Sequence, residues 1–207
     1  MKAGFASTGF AAALLMLGGI GCAAGAQPAA PAGSTAAIAI FAGGCFWCLE
    51  ADFEKLPGVI SAESGYTGGK TANPTYHQVS AGGTGHAEAV RVSYDTSKLS
   101  YRQLVDYFWR HIDPAAKDRQ FCDAGTQYRS AIYWRNDAER KIAEESRAAL
   151  LKSGVVRQVF TEIAAASAFY PAEEYHQDYY RKNPLRYAFY RTTCGRDARV
   201  REIWGDR

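Results

Sequence analysis

Residues 36–58 define the first supersecondary unit of the chain. "AAIAIFA" (36–42) is a short apolar run rich in branched and aromatic residues, the composition of a buried strand. Gly43-Gly44 breaks it. Phe46, Leu49, Phe53 and Leu56 then recur at helical spacing with Glu50, Asp52 and Glu54 between them, and Pro57-Gly58 stops the helix. A strand–turn–helix of this kind puts Cys45 at a helix N-terminus. Unpaired backbone N–H groups and the positive end of the macrodipole there favour a thiolate, and a thiolate is a nucleophile. Phe46 and Trp47 cannot both face the core of a one-sided helix start, so one or both are expected to line an apolar site beside the sulfur.

The rest of the chain extends this unit. "VISAESGY" (59–66) reads as a strand, and 67–85, with five glycines and Asn73-Pro74, as a loop. Such a loop is longer than a simple connection needs, which favours a functional role. Residues 86–95 alternate as a strand, and 100–112 read as a helix opened by Ser100 and Gln103 at capping-box spacing. After a polar loop (113–127), 128–134 reads as a strand. A helix follows from Asn136 to about Lys152, then a strand at 156–166, a short helix at 171–182, and an aromatic, basic tail. The first six elements run β-α-β-β-α-β. This is the order of a ferredoxin-like two-layer sandwich, an α/β (α+β) fold with a mixed sheet, here carrying appended helices and a tail.

The N-terminus has a different character. Lys2, an apolar stretch from Phe10 to Ile20 and the small residues Ala24-Gly25-Ala26 have the layout of a secretory signal over residues 1–26. A lipoprotein signal ending at Cys22 is the rival reading, and would give a lipid anchor. Residues 27–35 read as an Ala/Pro/Gly-rich linker and 36–207 as one catalytic domain. These features predict an exported, periplasmic protein. A net charge of +3 without a basic run argues against nucleic-acid binding, and a monomer is the default.

Export implies an oxidising compartment. Beyond Cys22 the cysteines are Cys45, Cys48, Cys122 and Cys194, which allow either two structural bridges or redox chemistry. Glu88 shares its strand face with Val90, Val92 and Tyr94 and is expected to point inward, where a carboxyl tends to keep its proton and serve as a general acid. The rival position for Glu88 is solvent or an arginine partner. Tyr76 and Tyr128 are candidate donors to a polar oxygen, and Asp123 is ambiguous between site and turn. No metal is expected, because the histidines show no ligand spacing and there is no second C-x-x-C. Two alternatives use the same cysteines: a general thiol–disulfide oxidoreductase, and an exported metal-binding module.

The stretches "GGCFWC", "GYTGG", "NPTYHQV", "GTGHAEAVRVSYD", "DRQFCDAGTQYRSAIY", "FYPAEEYHQDYYRKNP" and "CGRDARVREIWG" closely resemble the A-type peptide methionine sulfoxide reductases. The resemblance implies that Cys45 is the nucleophile, Phe46 and Trp47 the methyl pocket, and Glu88 the proton donor. Tyr76, Tyr128 and Asp123 would surround the sulfoxide oxygen. It implies reduction of the S epimer of methionine sulfoxide, free or in proteins, through a sulfenic acid and a disulfide, hence repair of oxidised proteins. An external dithiol such as a thioredoxin-type protein would complete the cycle without a metal or organic cofactor. Many members have glycine where Cys48 stands. Cys194 matches the family's mobile C-terminal resolving thiol, with Cys48 as an alternative or later relay, and Cys122 is expected to be a bystander.

Overall fold

The computed structural model describes residues 35–205 together with Met1 and Gly4. Apart from those two, the segment read as an export signal, Cys22 included, and the linker up to residue 34 lie outside the described residues. In chain order the described elements are β1 (Ala36–Gly43), α1 (Phe46–Phe53), β2 (Val59–Thr67), α2 (Tyr76–Ser80), β3 (Ala87–Asp95) and α3 (Tyr101–Trp109). A two-residue hairpin, β4 (Arg119–Gln120) and β5 (Asp123–Ala124), leads through a 3-10 turn (Thr126–Tyr128) to β6 (Ser130–Trp134) and α4 (Asp137–Ser153). β7 (Glu162–Ala165), β8 (Tyr170–Pro171), α5 (Tyr179–Lys182), α6 (Pro184–Thr193) and α7 (Arg196–Trp204) complete the chain.

The main sheet has the order β7-β6-β1-β3-β2-β8. Its four central strands, β6-β1-β3-β2, are mutually antiparallel and are the strands of the β-α-β-β-α-β unit. β7 adds in parallel beside β6, and β8 adds antiparallel to β2, so the sheet is mixed. Strand parity divides the two faces. Ala39 and Phe41 of β1 and Val90, Val92 and Tyr94 of β3 face α1, α3 and α4 in the principal core. Ile40, Ala42, Ala87, Ala89 and Ala131 face the other way, under Ala164, Ala166 and Phe169. Phe41 is central to the principal core. It stacks on Phe53 and Phe108 at 5.0 Å each, and truncating a phenylalanine buried this completely costs about 3–5 kcal/mol.

Several boundaries differ from the sequence reading. α1 ends at Phe53 rather than Leu56, and the long loop contains α2, closed by a Thr75–Gln78 capping box. Within 156–166 only residues 162–165 pair with β6, and before them the Phe160 N–H donates to Pro114 O at 2.8 Å. The segment 171–182 is helical only over its last turn. The Gln177 side chain bonds both the N–H and the C=O of Ser64 at 2.9 Å, which pins this segment to the edge of β2. Asp178 then adopts a left-handed φ of 52° before α5. The C-terminal segment is two helices rather than a loose tail. They bury the outer side of α1, where Cys48, Ala51 and Tyr187 pack together.

Candidate active site

The site is assembled where β1 runs into α1. Gly44 has φ 80°, and a Cβ there would lie 2.5 Å from Gln120 Cβ, so only glycine makes this turn without displacing the neighbouring hairpin. Cys45 occupies the N-cap of α1 with φ −50° and ψ 119°. The Phe46 N–H, one of the unpaired donors of that helix end, donates to Glu88 Oε2 at 3.0 Å. One helix terminus therefore holds both the sulfur and the carboxyl that the sequence singled out.

Glu88 is buried, 2% exposed, which removes the solvent-facing alternative. Burial pushes its carboxyl up to about 8, against the lowering effect of the Phe46 N–H, so it carries a proton at neutral pH. Tyr76 is pushed up to about 12 and Tyr128 is raised further, chiefly by burial, so both phenols remain donors. A cavity of about 60 Å³ is lined by Cys45, Phe46, Trp47, Tyr76, Glu88, Asp123, Tyr128 and Tyr190. Every residue expected in the nucleophile, proton-donor, oxygen-binding or methyl-binding roles lies on this one cavity wall.

Phe46 and Trp47 both reach the cavity, because α1 is covered on two sides rather than one. Phe46 packs toward Tyr66 and Tyr76. Trp47 stacks on Tyr179 at 3.8 Å, meets Tyr190 edge-on, and donates its indole N–H to His176 Nδ1 at 3.0 Å. His176 is held below its ordinary pKa by burial and is therefore neutral, with the proton on Nε2. His176 orients the indole and Glu173 anchors the Tyr76 backbone N–H at 2.8 Å. Tyr190 donates to Asp123 Oδ2 at 2.5 Å and also hydrogen-bonds the Cys45 thiol. None of these three was assigned a role from the sequence. Their only signal was membership of aromatic and acidic stretches without a period that locates a site.

The cysteines differ most from expectation. Cys45 is 7% exposed, and burial, joined by the neighbouring Cys48 and Glu88, pushes its thiol well above the ordinary range. The helix end alone does not make it a thiolate. Cys48, at the next turn, accepts a hydrogen bond from Cys45 and is lowered by that bond and by Arg196 and Arg191. Those arginines belong to a buried cluster: Arg191 Nη1 lies 2.9 Å from Asp52 Oδ1 and Arg196 Nε 3.7 Å from Asp52 Oδ2. Arg196, 2% exposed, also donates to Gly43 O and His111 O. Cys194 is not on a mobile tail. It caps α6, just before this Arg196 anchor, and is disulfide-bonded to Cys122. Cys122 is accordingly not a bystander; the hairpin that follows Asp113 carries it to the end of α6.

Two neighbouring cysteines beside a protonated carboxyl and two phenols, at a cavity the size of a small head group, are a site for thiol redox chemistry on an oxygen-bearing substrate. Comparison with known proteins gives this class its family. The family model described as "Peptide methionine sulfoxide reductase" matches residues 37–207. The chain is 50% identical over 95% of its length to peptide methionine sulfoxide reductase MsrA 2 of Caulobacter vibrioides, covering 96% of that protein. It is 48% identical over 81% of its length to MsrA of Bacillus licheniformis, covering 93% of that protein. Among solved structures it is similar to reduced Mxr1 of Saccharomyces cerevisiae, with a TM-score of 0.67 and 34% identity, covering 72% of this chain and 86% of that one. It is also similar to methionine sulfoxide reductase A of Corynebacterium diphtheriae, with a TM-score of 0.65 and 36% identity, covering 73% and 76%. The chain belongs to the peptide methionine sulfoxide reductase family, in its A-type branch.

Proposed function

We propose that the enzyme reduces methionine S-sulfoxide, free and in proteins, with Cys45 as nucleophile and Glu88 as proton donor. The observation that carries this assignment is their shared position at the N-terminus of α1, on one cavity wall with Tyr76 and Tyr128. The substrate's methyl group lies against Phe46 and Trp47, and its oxygen accepts from Glu88 and the phenols, with Asp123 beside them. Cys48, the more readily deprotonated of the pair, takes the Cys45 proton in its thiolate form as Cys45 attacks the sulfoxide sulfur. Glu88 protonates the sulfoxide oxygen, the resulting hydroxyl passes from the methionine sulfur to Cys45 as the bond between the two sulfurs breaks, and methionine leaves with Cys45 as a sulfenic acid. Cys48 then attacks the Cys45 sulfur, the Cys45–Cys48 disulfide forms, and the hydroxyl leaves as water with the Cys48 proton. Glu88, left ionised, recovers its proton from solvent.

Cys48 is favoured over Cys194 for this step because its sulfur touches Cys45 while Cys194 is bonded to Cys122. An external thioredoxin-type dithiol supplies the electrons, and the leader read in residues 1–26 assigns the enzyme to an exported, periplasmic pool. The test is an assay on resolved sulfoxide epimers. The S epimer is expected to yield methionine and the R epimer none, and Cys45→Ser is expected to remove single-turnover activity while the protein stays folded by circular dichroism. Disulfide exchange without sulfoxide reduction would instead support a general thiol–disulfide oxidoreductase.

A further inference from the structure

Three phenols line the cavity, and one of them meets the nucleophile rather than the place of the substrate oxygen. The Tyr190 hydroxyl bonds Asp123 Oδ2 at 2.5 Å and also the Cys45 sulfur. A phenol carries a single O–H proton, so the carboxyl and the sulfur compete for it. The ring itself is fixed. It meets Trp47 edge-on at 5.7 Å, and the next residue of α6, Arg191, is ion-paired to the buried Asp52 at 2.9 Å. Only the hydroxyl hydrogen has to turn to change acceptor. Few other donors serve the Cys45 sulfur. Cys45 is 7% exposed, so bulk water contributes little. At the helix end the Phe46 N–H is committed to Glu88 Oε2, and the Cys48 and Leu49 N–H groups donate to Cys45 O.

We infer that Tyr190 is a further catalytic residue, whose O–H turns from Asp123 to the Cys45 sulfur as that sulfur gives up its proton and attacks. The inference rests on the sulfoxide chemistry proposed above. In the resting site Asp123 accepts from the hydroxyl and keeps it beside the sulfur. A neutral thiol is a weak acceptor, whereas a thiolate is a strong one. The bond from Tyr190 to sulfur therefore strengthens as charge develops there, so it speeds the attack and leaves substrate binding unchanged. Burial raises the Tyr190 phenol, which keeps it protonated and a donor throughout. A hydrogen bond to a charged group of this kind corresponds to about 10- to 100-fold in rate.

Tyr190→Phe removes the hydroxyl and keeps the ring against Trp47. Two measurements on the full-length protein test it. The first, made without substrate, is the pH midpoint of Cys45 alkylation by iodoacetamide, located on Cys45 by peptide fragmentation. It is expected to rise by about one pH unit or more in Tyr190→Phe. The second is the single-turnover rate at saturating methionine S-sulfoxide. It is expected to fall about 10- to 100-fold while the substrate concentration for half-saturation stays within about twofold. An unmoved alkylation midpoint, or a weakened half-saturation at unchanged rate, overturns the inference and leaves Tyr190 as a wall of the cavity. If Tyr190→Phe does not fold by circular dichroism, 3-fluorotyrosine at position 190 serves instead. It is a stronger donor of the same shape, and the midpoint is expected to move down; a midpoint that stays or rises overturns the inference. No methionine from the natural protein overturns the sulfoxide reading itself, and the alkylation midpoint then still decides whether Tyr190 serves the sulfur.

Discussion

Glu88 shows how burial can oppose and overcome the other terms on a single group. The Phe46 N–H, in the positive field at the start of α1, favours the carboxylate, yet desolvation lifts the group to about 8. Its pKa in the unfolded chain is about 4.3. A raised native pKa means that the stability associated with this carboxyl is fully present below about pH 4 and is lost as pH rises through about 8. Glu88→Gln keeps an acceptor for Phe46 and cannot ionise. It is expected to lower sulfoxide reduction by roughly 10²–10⁴-fold. At pH 9 it should be more stable than the natural protein, by on the order of 5 kcal/mol, with the two converging near pH 4. Denaturant midpoints across that range measure the difference, and a gap independent of pH would contradict the assignment. The natural enzyme's rate is likewise expected to decline above about pH 8, as Glu88 loses its proton. Strand parity was enough to turn Glu88 inward on paper. No residue pattern revealed that the Cys45 thiol would be raised and not lowered, because that depends on how completely the folded chain buries it.

At the scale of elements, α1 is the center of the site. Periodicity correctly assigned one of its faces to the sheet, through Phe46, Leu49 and Phe53. Glu50 and Asp52, which fall between those positions, are also buried, at 1% and 3% exposure. Glu50 accepts from Ser64 Oγ and from the Asp178 N–H, tying α1 to β2 and to the turn before α5. Burial lifts its carboxyl to about 7. Asp52 neutralises Arg191 and Arg196 and so joins α1 to α6 and α7. Breaking a buried ion pair by deleting one partner leaves uncompensated charge at a cost of roughly 3–5 kcal/mol. Asp52→Ala is expected to lose stability of that size in urea unfolding. A loss under 1 kcal/mol would mean that the cluster does not hold the C-terminal helices in place. The misreading of 171–182 has the same origin. Helical spacing was present, but the bonds from Gln177 to Ser64 and the left-handed Asp178 hold most of that segment in turns.

Across the whole molecule, the strand order β6-β1-β3-β2 puts the first and third strands side by side, which brings Cys45 at the end of one to Glu88 near the start of the other. The C-terminal helices then close the other side of the site, and the Cys122–Cys194 disulfide links them to the hairpin after α3 across a sequence separation of 72. Closing a loop of that length restricts the unfolded chain, with an expected stabilisation of about 4 kcal/mol in the chain-entropy model. Selective reduction of this disulfide is therefore expected to lower the urea midpoint and the melting temperature, by about 10 °C for a domain of this size. Calorimetry of the oxidised and reduced proteins checks it. Equal melting temperatures would show that the Arg196 and Asp52 anchors alone set the position of the tail.

The sequence by itself determined the β-α-β-β-α-β order, the placement of Cys45 at a helix start and the inward face of Glu88. Each is a local matter of periodicity, glycine turns and parity, written within a few residues of where it acts. The tertiary structure alone decided which sulfurs meet, which thiol is raised and which lowered, and why both aromatics beside Cys45 reach the substrate cavity. Those outcomes depend on desolvation and on charges brought from positions more than a hundred residues away, such as Arg191 and Arg196 beside Cys48. Burial and long-range contact have no period along the chain, so they become legible only once the chain has folded.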